Sequence, residues 1–391
     1  MSYYVPDDAV CAECFDDDYL KSQINACASV MHCDYCGRRS RKKPTSVSVS
    51  EIVKWIRDGL ESEYGDAADQ GVPYESAEGG YQFPTMSTEE VLDEIGFCVE
   101  NDELFRRIVS LLPDHAWIQL HPFSLSPTDS LCIGWDRFCH IVKHRVRYLL
   151  FPPRNNNEMK DEVRPEEMLD ALGRIVASFN LTSTLTSGTR LYRAITHRQG
   201  QHLNDSLDLG PPPSSAARYA NRMNPAGISM FYAALDKNTA IAETPMRNGK
   251  DDVEVTIAVF ELVENLLILN LMQIPEVPSI FADEDERWKR PGLIFLHHFL
   301  EDFTKPVVQD GREHIDYVPT QIVTEYFRHR FEDAEKHPVR GILYPSSKNS
   351  GGKACVLFVS YEDCAGDWTF GEPTKPPFRL VSKRMRATGL H

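Results

Sequence analysis

From residue 48 to 63 the apolar positions fall at 52, 53, 56 and 60, a spacing that predicts an amphipathic helix with Ser48 or Ser50 placed to cap it. Thr88-Glu89-Glu90 opens a second predicted helix that runs toward Leu112 and stops at Pro113. Apolar-faced stretches at 135–150 and 165–179 predict two more. Between the first two helices, residues 64–87 are acidic, Gly-rich and aperiodic, and read as a long mobile loop. The texture changes after Arg190, where short runs rich in Val, Ile and Tyr alternate with loops. Strands are expected at 190–195, 228–233, 253–262, 266–271, 341–344 and 354–360, and helices near 289–303 and 317–331. No internal repeat is visible. The pattern predicts an α+β chain in three stretches. A cysteine-bearing segment, 1–45, leads into a helical part, 46–180, and residues 181–391 follow with a mainly antiparallel sheet.

Composition narrows this picture. The chain has 391 residues, 42% of them hydrophobic, enough for real cores and for two domains or more. No run of about 18 apolar residues offers a membrane-spanning helix. The acidic start, MSYYVPDDAVCAECFDDD, lacks the basic and apolar regions of a signal peptide, so a cytoplasmic protein is expected. Charge is unevenly spread: residues 1–180 hold 18 Lys and Arg against 31 Asp and Glu, the remainder 24 against 27. Between Asp58 and Glu103 lie 14 acids and no Lys or Arg. Such a surface repels a polyanion, because nucleic-acid affinity comes largely from neutralising phosphates. The one basic run, Arg38-Arg39-Ser40-Arg41-Lys42-Lys43, reads as a solvated connector. Bulk nucleic-acid binding is not expected.

Ten cysteines bring in the first candidate chemistry. Cys11-Ala-Glu-Cys14 and Cys33-Asp-Tyr-Cys36-Gly37 form two CxxC knuckles separated by 18 residues. Each knuckle offers two thiolates from one tight turn, and four together suit a tetrahedral zinc ion. Because four protein ligands fill the coordination shell, this zinc is expected to be structural. Cys27 and His32 lie close by but outside the paired spacing. Cys98, Cys132, Cys139, Cys355 and Cys364 are scattered and expected to be plain thiols, most of them buried.

Two further clusters stand out. On a helix, Arg137 and His144 are seven positions apart and share one face, a placement able to flank a phosphodiester as in HEPN-type ribonuclease helices; the alternative is an ordinary helix. In the second half, Arg193 sits mid-strand in Leu191-Tyr192-Arg193-Ala194, where a guanidinium is expensive unless it meets an anion. Arg222 opens a stretch that contains Gly227 and Tyr232 and leads to Thr239-Ala-Ile-Ala-Glu243. Tyr344-Pro345-Ser346 follows near the end. Two Arg, one Tyr, one Glu and one Ser, if convergent, make a site for a phosphorylated, aromatic ligand; the alternative is a buried ion-pair network of Arg193, Arg222 and Glu243. No GxGxxG follows a strand and no Walker loop is present, and Gly351-Gly352 reads as no more than a turn.

These segments resemble the RES domain family, named for its Arg, Glu and Ser. Arg193, Glu243 and Ser346 fit those three, and Tyr317-Val-Pro-Thr-Gln321 resembles the helix ahead of the Ser strand, so the likeness covers roughly 190–360. Residues 1–180 resemble the zinc-containing HEPN/RES N-terminal domain, on the CxxC pairs and the segment near 135–148. The resemblance implies an ADP-ribosyltransferase-like fold and an enzyme that consumes NAD+ by breaking its nicotinamide–ribose bond, as bacterial toxins and anti-phage effectors do. It implies that Glu243 stabilises the oxocarbenium-like ribose, that Arg193 and Arg222 hold the pyrophosphate, that Tyr192 and Tyr232 contact the bound dinucleotide, and that Ser346 hydrogen-bonds it. Transfer of ADP-ribose to a protein, and RNA cleavage by the first half, are the alternatives. A homodimer, with an antitoxin or an activator as a possible partner, is the expected assembly. The acidic first half is expected to restrain or assemble the catalytic half.

Overall fold

The computed structural model describes residues 8–148, 161–244, 253–306, 311–365 and 376–387. Among them, no helix is long and apolar enough to cross a membrane. By packing, the chain divides into two units, residues 1–129 with 276–294 and residues 130–275 with 295–391. In this partition residues 130–180 group with the sheet-bearing unit. The physical reason lies in the buried side chains beyond residue 130, described below.

In the first unit, strands β1 (Ala9–Cys11) and β2 (Ser46–Ser48) pair antiparallel, with Cys11 opposite Ser46. Helix α1 (Asp18–Cys27) starts at Asp17, whose carboxylate accepts from the Leu20 N–H. Helix α2 (Val49–Glu63) starts at Ser48, whose hydroxyl accepts from the Glu51 N–H at 3.3 Å. Its apolar face, Ile52, Ile56 and Leu60, enters a core with Leu20, Ile24, Leu104, Ile108 and Trp117. Ile280 and Phe281 of the 276–294 excursion belong to the same core. The single helix expected from Thr88 to Leu112 is two, α3 (Thr88–Glu94) and α4 (Asp102–Leu111). Gly96, at φ 70°, ends the first, and the Asn101 side chain caps the second by accepting from Glu103 and Leu104 N–H groups. Residues 64–87 also depart from the expected mobile loop. Strand β3 (Tyr64–Asp66) pairs with β4 (Trp117–Gln119), Tyr74–Glu75 pairs with Gly80–Tyr81, and Ala67 and Val72 are buried against Ile118. Short paired pieces of two or three residues leave too little periodicity to be read from sequence.

The second unit is built on an eight-stranded sheet. Helices α5 (Pro127–His144) and α6 (Met168–Ser178) come first, followed by strands β5 (Thr182–Leu185), β6 (Arg190–Arg198) and β7 (Phe231–Ala234). Helix α7 (Lys237–Glu243) leads to β8 (Val253–Leu262) and β9 (Leu266–Asn270). Helices α8 (Arg290–Thr304) and α9 (Val318–His329) precede β10 (Gly341–Pro345), β11 (Lys353–Leu357) and β12 (Phe378–Ala387). The sheet order is β12-β8-β6-β7-β11-β10-β9-β5, antiparallel at every contact except the parallel β9–β10 pair. This is the mixed α+β architecture expected, with β5 and β12 as strands the sequence pattern did not announce. One face of the sheet carries Leu191, Phe231, Phe260, Leu343, Cys355 and Leu357, which form one core. Trp135, Phe138 and Val142 of α5 and Leu172 and Val176 of α6 are fully buried, with the Trp135 ring edge-on to Phe299 of α8 at 5.1 Å. That burial is why residues from 130 onward pack in this unit rather than with the helices before them.

Candidate functional site

The site grows from an interruption in the sheet. Strand β6 pairs with β8 across nine residue pairs, but meets β7 at one pair only, Tyr192 opposite Ala234. Arg193 lies next to this opening. Its Nη1 donates to the Tyr232 carbonyl at 2.7 Å, and its guanidinium lies over the Phe231 ring at 5.4 Å. Its Nε is buried with no hydrogen-bond partner, and burial pulls the guanidinium down to about 10. Strand alternation places Arg193 on the face of Leu191 and Phe231, and Tyr192 and Tyr232 on the other.

Glu243 ends helix α7, which begins at Asp236, whose carboxylate accepts from the Thr239 N–H at 2.9 Å. At the far end, the Thr244 hydroxyl bonds the Ala240 carbonyl at 2.7 Å and the Ala194 carbonyl of β6 at 3.1 Å, tying the helix beside Arg193. Ser346 follows β10 directly. Its hydroxyl donates to Glu243 Oε1 at 2.5 Å and accepts from the Lys348 and Asn349 N–H groups at 3.2 and 3.1 Å. The turn that carries Ser346 closes through its N–H to the Gly352 carbonyl at 2.9 Å. Asn349 Nδ2 then donates to the Thr239 hydroxyl at 2.7 Å, docking the turn on the start of α7. A Cβ on Gly352 would stand 2.3 Å from Thr239 Oγ1, so the glycine permits this approach. Thr239, Asn349 and Gly352 were not read as site residues. Thr239 heads the Thr239-Ala-Ile-Ala-Glu243 stretch and Gly352 belongs to a glycine pair that reads as a turn, but neither pattern shows that the two dock.

The other expected residues are held differently. The Tyr232 hydroxyl donates to Asn224 Oδ1 and accepts from the Met223 N–H at 3.2 Å, so the phenol, pushed up by burial, anchors the 221–228 segment. Arg222 donates through Nη1 to the Phe303 carbonyl at 2.8 Å and through Nη2 to the Lys305 carbonyl at 2.7 Å, closing the end of α8, with its guanidinium over Tyr317 at 5.7 Å. Thr320 and Gln321 of α9 bond the carbonyls of Arg222 and Asn221 at 2.5 and 2.8 Å, which explains the Val-Pro-Thr-Gln spacing. The structure therefore joins Glu243 to Ser346 and Arg193 to the main chain of Tyr232. Among the described residues no hydrogen bond or ion pair links Arg193 or Arg222 to Glu243, so the buried ion-pair network is not formed. In α5, Arg137 pairs with the buried carboxylate of Glu162, and His144 is exposed with its ring 5.2 Å from that of His140.

In the first unit the four thiols converge. Cys11 Sγ lies 3.9 Å from Cys14 Sγ and 3.5 Å from Cys36 Sγ, and Cys14 Sγ lies 3.7 Å from Cys33 Sγ. Tetrahedral coordination at the usual metal–thiolate length puts sulfurs about 3.8 Å apart, so the cluster fits a metal ion. Burial and the neighbouring sulfurs push the Cys11 thiol up to about 11, and the Cys14 thiol higher still; a coordinated cation reverses this and keeps such thiols deprotonated.

Comparison with known families finds two matches along the chain. Residues 27–156 match the model of HEPN/RES N-terminal domain 1, and residues 190–374 match that of the RES domain. The match begins at Cys27, so the Cys11–Cys14 knuckle precedes it. No curated protein and no solved structure matches the chain. With Arg193, Glu243 and Ser346 inside the second match, the chain carries a HEPN/RES N-terminal domain 1 followed by a RES domain.

Proposed function

We propose that this chain is an NAD+-consuming enzyme that breaks the bond between nicotinamide and ribose, with water or phosphate as acceptor, and that it acts as a toxin or defence effector. The observation that carries the reading is the Glu243–Ser346 hydrogen bond, to which the buried Arg193, with a partnerless Nε, is added as a separate support. A RES domain is consistent with an NAD+-acting enzyme. In this reading the eight-stranded sheet is of the ADP-ribosyltransferase-like kind.

The chemistry suits the residues. Nicotinamide leaves as a neutral base from a cationic ring nitrogen, so departure needs no strong general acid. Positive charge then builds on the ribose C1, and the Glu243 carboxylate stabilises it. Ser346 donates to that carboxylate and keeps one oxygen fixed while the other faces the sugar. Water adds to C1, releasing ADP-ribose and a proton, which Glu243 accepts. The Arg193 Nε–H supplies a donor for a phosphate oxygen. The four thiolates of the first unit would hold a structural zinc, which braces that unit and takes no part in the reaction. The commitment of Arg137 to Glu162 weighs against a ribonuclease in α5.

Incubating the full chain with NAD+ should release free nicotinamide. Glu243→Gln keeps the shape and loses the charge, so turnover should fall by about a thousandfold while NAD+ binding persists. A Glu243→Gln variant with undiminished nicotinamide release overturns the assignment. ADP-ribose label retained on protein, rather than freed, marks transfer instead of hydrolysis.

A further inference from the structure

Within the second unit, a cleft of about 350 Å³ lies among α5, the end of α8 and the start of α9. Its walls carry four cations, Lys143, Arg222, Lys305 and Arg312, against two carboxylates, Asp302 and Asp316, in a chain whose net charge is −16. Both carboxylates have work inside the wall: Asp302 accepts from the Trp135 indole at 3.0 Å, and Asp316 lies 3.6 Å from the Lys143 ammonium. The Arg222 guanidinium is held in place by the Phe303 and Lys305 carbonyls, over the Tyr317 ring. Tyr317, under that guanidinium, lines the same cleft.

The origin of these residues matters. Arg222, Lys305 and Arg312 come from the segment matched by the RES domain, whereas Lys143 and Trp135 come from α5, inside the segment matched by the N-terminal domain. We propose that this cleft binds a diphosphate and that Lys143 of α5 is one of its ligands, so that a helix of the N-terminal domain completes the substrate site of the RES domain. Among the described residues of the wall, cations outnumber carboxylates, which suits an anionic diphosphate. An ammonium and planar guanidinium groups are the side chains suited to phosphate oxygens. The inference rests on the NAD+ reading only for the identity of the diphosphate.

The test uses the full chain and two probes, inorganic pyrophosphate by calorimetry and NAD+ by nicotinamide release. Lys143→Met should weaken pyrophosphate binding about tenfold and Lys143→Glu about a hundredfold or more. The KM for NAD+ should rise by similar factors, while the KM for nicotinamide riboside, which lacks the diphosphate, should stay where it is. Lys305→Glu, an exposed residue on the cleft wall, gives the same readout should the Lys143 variants fail to fold. Absence of pyrophosphate binding by the unaltered chain, or equal binding by all variants, overturns the inference and leaves the NAD+ reading standing wherever nicotinamide is released. Pyrophosphate binding that the variants lose, without nicotinamide release by the unaltered chain, supports the cleft and overturns the NAD+ reading.

Discussion

Twenty-five positions separate Cys11 from Cys36 in the thiol cluster, whereas 103 separate Glu243 from Ser346. The first group is assembled by two tight turns and a short β1–β2 ladder, the second by sheet register, a helix end and a docked turn. The difference teaches where each gets its rigidity. Cys11, Cys14 and Cys33 already sit in the first unit's core, and a metal ion bound by the four thiolates would add folding free energy to that packing. The Glu243–Ser346 pair is held by the chain itself, with Thr239, Asn349 and Gly352 positioning it through close packing and side-chain hydrogen bonds.

The largest effect should come from disrupting the proposed zinc site. Cys33→Ser, or a strong chelator, should release about one zinc per chain and raise amide exchange across residues 8–48 by about three orders of magnitude. Exchange in the eight-stranded sheet and nicotinamide release should not change. Loosening of the sheet by the same treatment would break the comparison.

A smaller effect locates the border between the two regions. Arg137→Ala strands the buried Glu162 carboxylate and should cost about 3 kcal/mol in urea unfolding, the low end for such pairs because the guanidinium is partly open to water. The loss should register in the unit of the sheet and leave the thiol cluster unaffected. Adding Glu162→Gln should recover part of it. Stability untouched by Arg137→Ala would remove α5 from that unit.

The smallest concerns the docked turn. Gly352→Ala pushes a methyl group into Thr239 and should cost about 1–3 kcal/mol by thermal unfolding. Nicotinamide release should fall with it, because Ser346 moves. A fully stable and active variant would mean that the turn is not what positions Ser346.

Much of the local structure was legible in the chain. The helix over 49–63 and its Ser48 cap follow from periodicity and a hydroxyl at the right place, and the strands expected at 190–195, 253–262 and 341–344 form over 190–198, 253–262 and 341–345. The break between α3 and α4 was missed because Gly96 and Asn101 lie inside an otherwise continuous apolar pattern. The roles of Tyr232 and Arg222 as anchors of the 221–228 segment and of α8 were invisible, since their partners are a side chain and carbonyls up to 83 positions away.

By itself, the sequence determined the two CxxC knuckles, the spacing of Arg193, Glu243 and Ser346, and the change from helical to strand texture near residue 190. The knuckles and the change of texture are patterns of neighbours a few positions apart, where turn geometry and the periods of helix and strand act directly, whereas Arg193, Glu243 and Ser346 are each read from a short motif of their own. Tertiary structure alone decided that α5 and α6 pack with the sheet, and that Lys143 faces Asp316 across a basic cleft beside Arg222. An apolar helix face carries no address. Which surface it covers is set by the shapes of side chains far away in the sequence, and those meet only once the chain has folded.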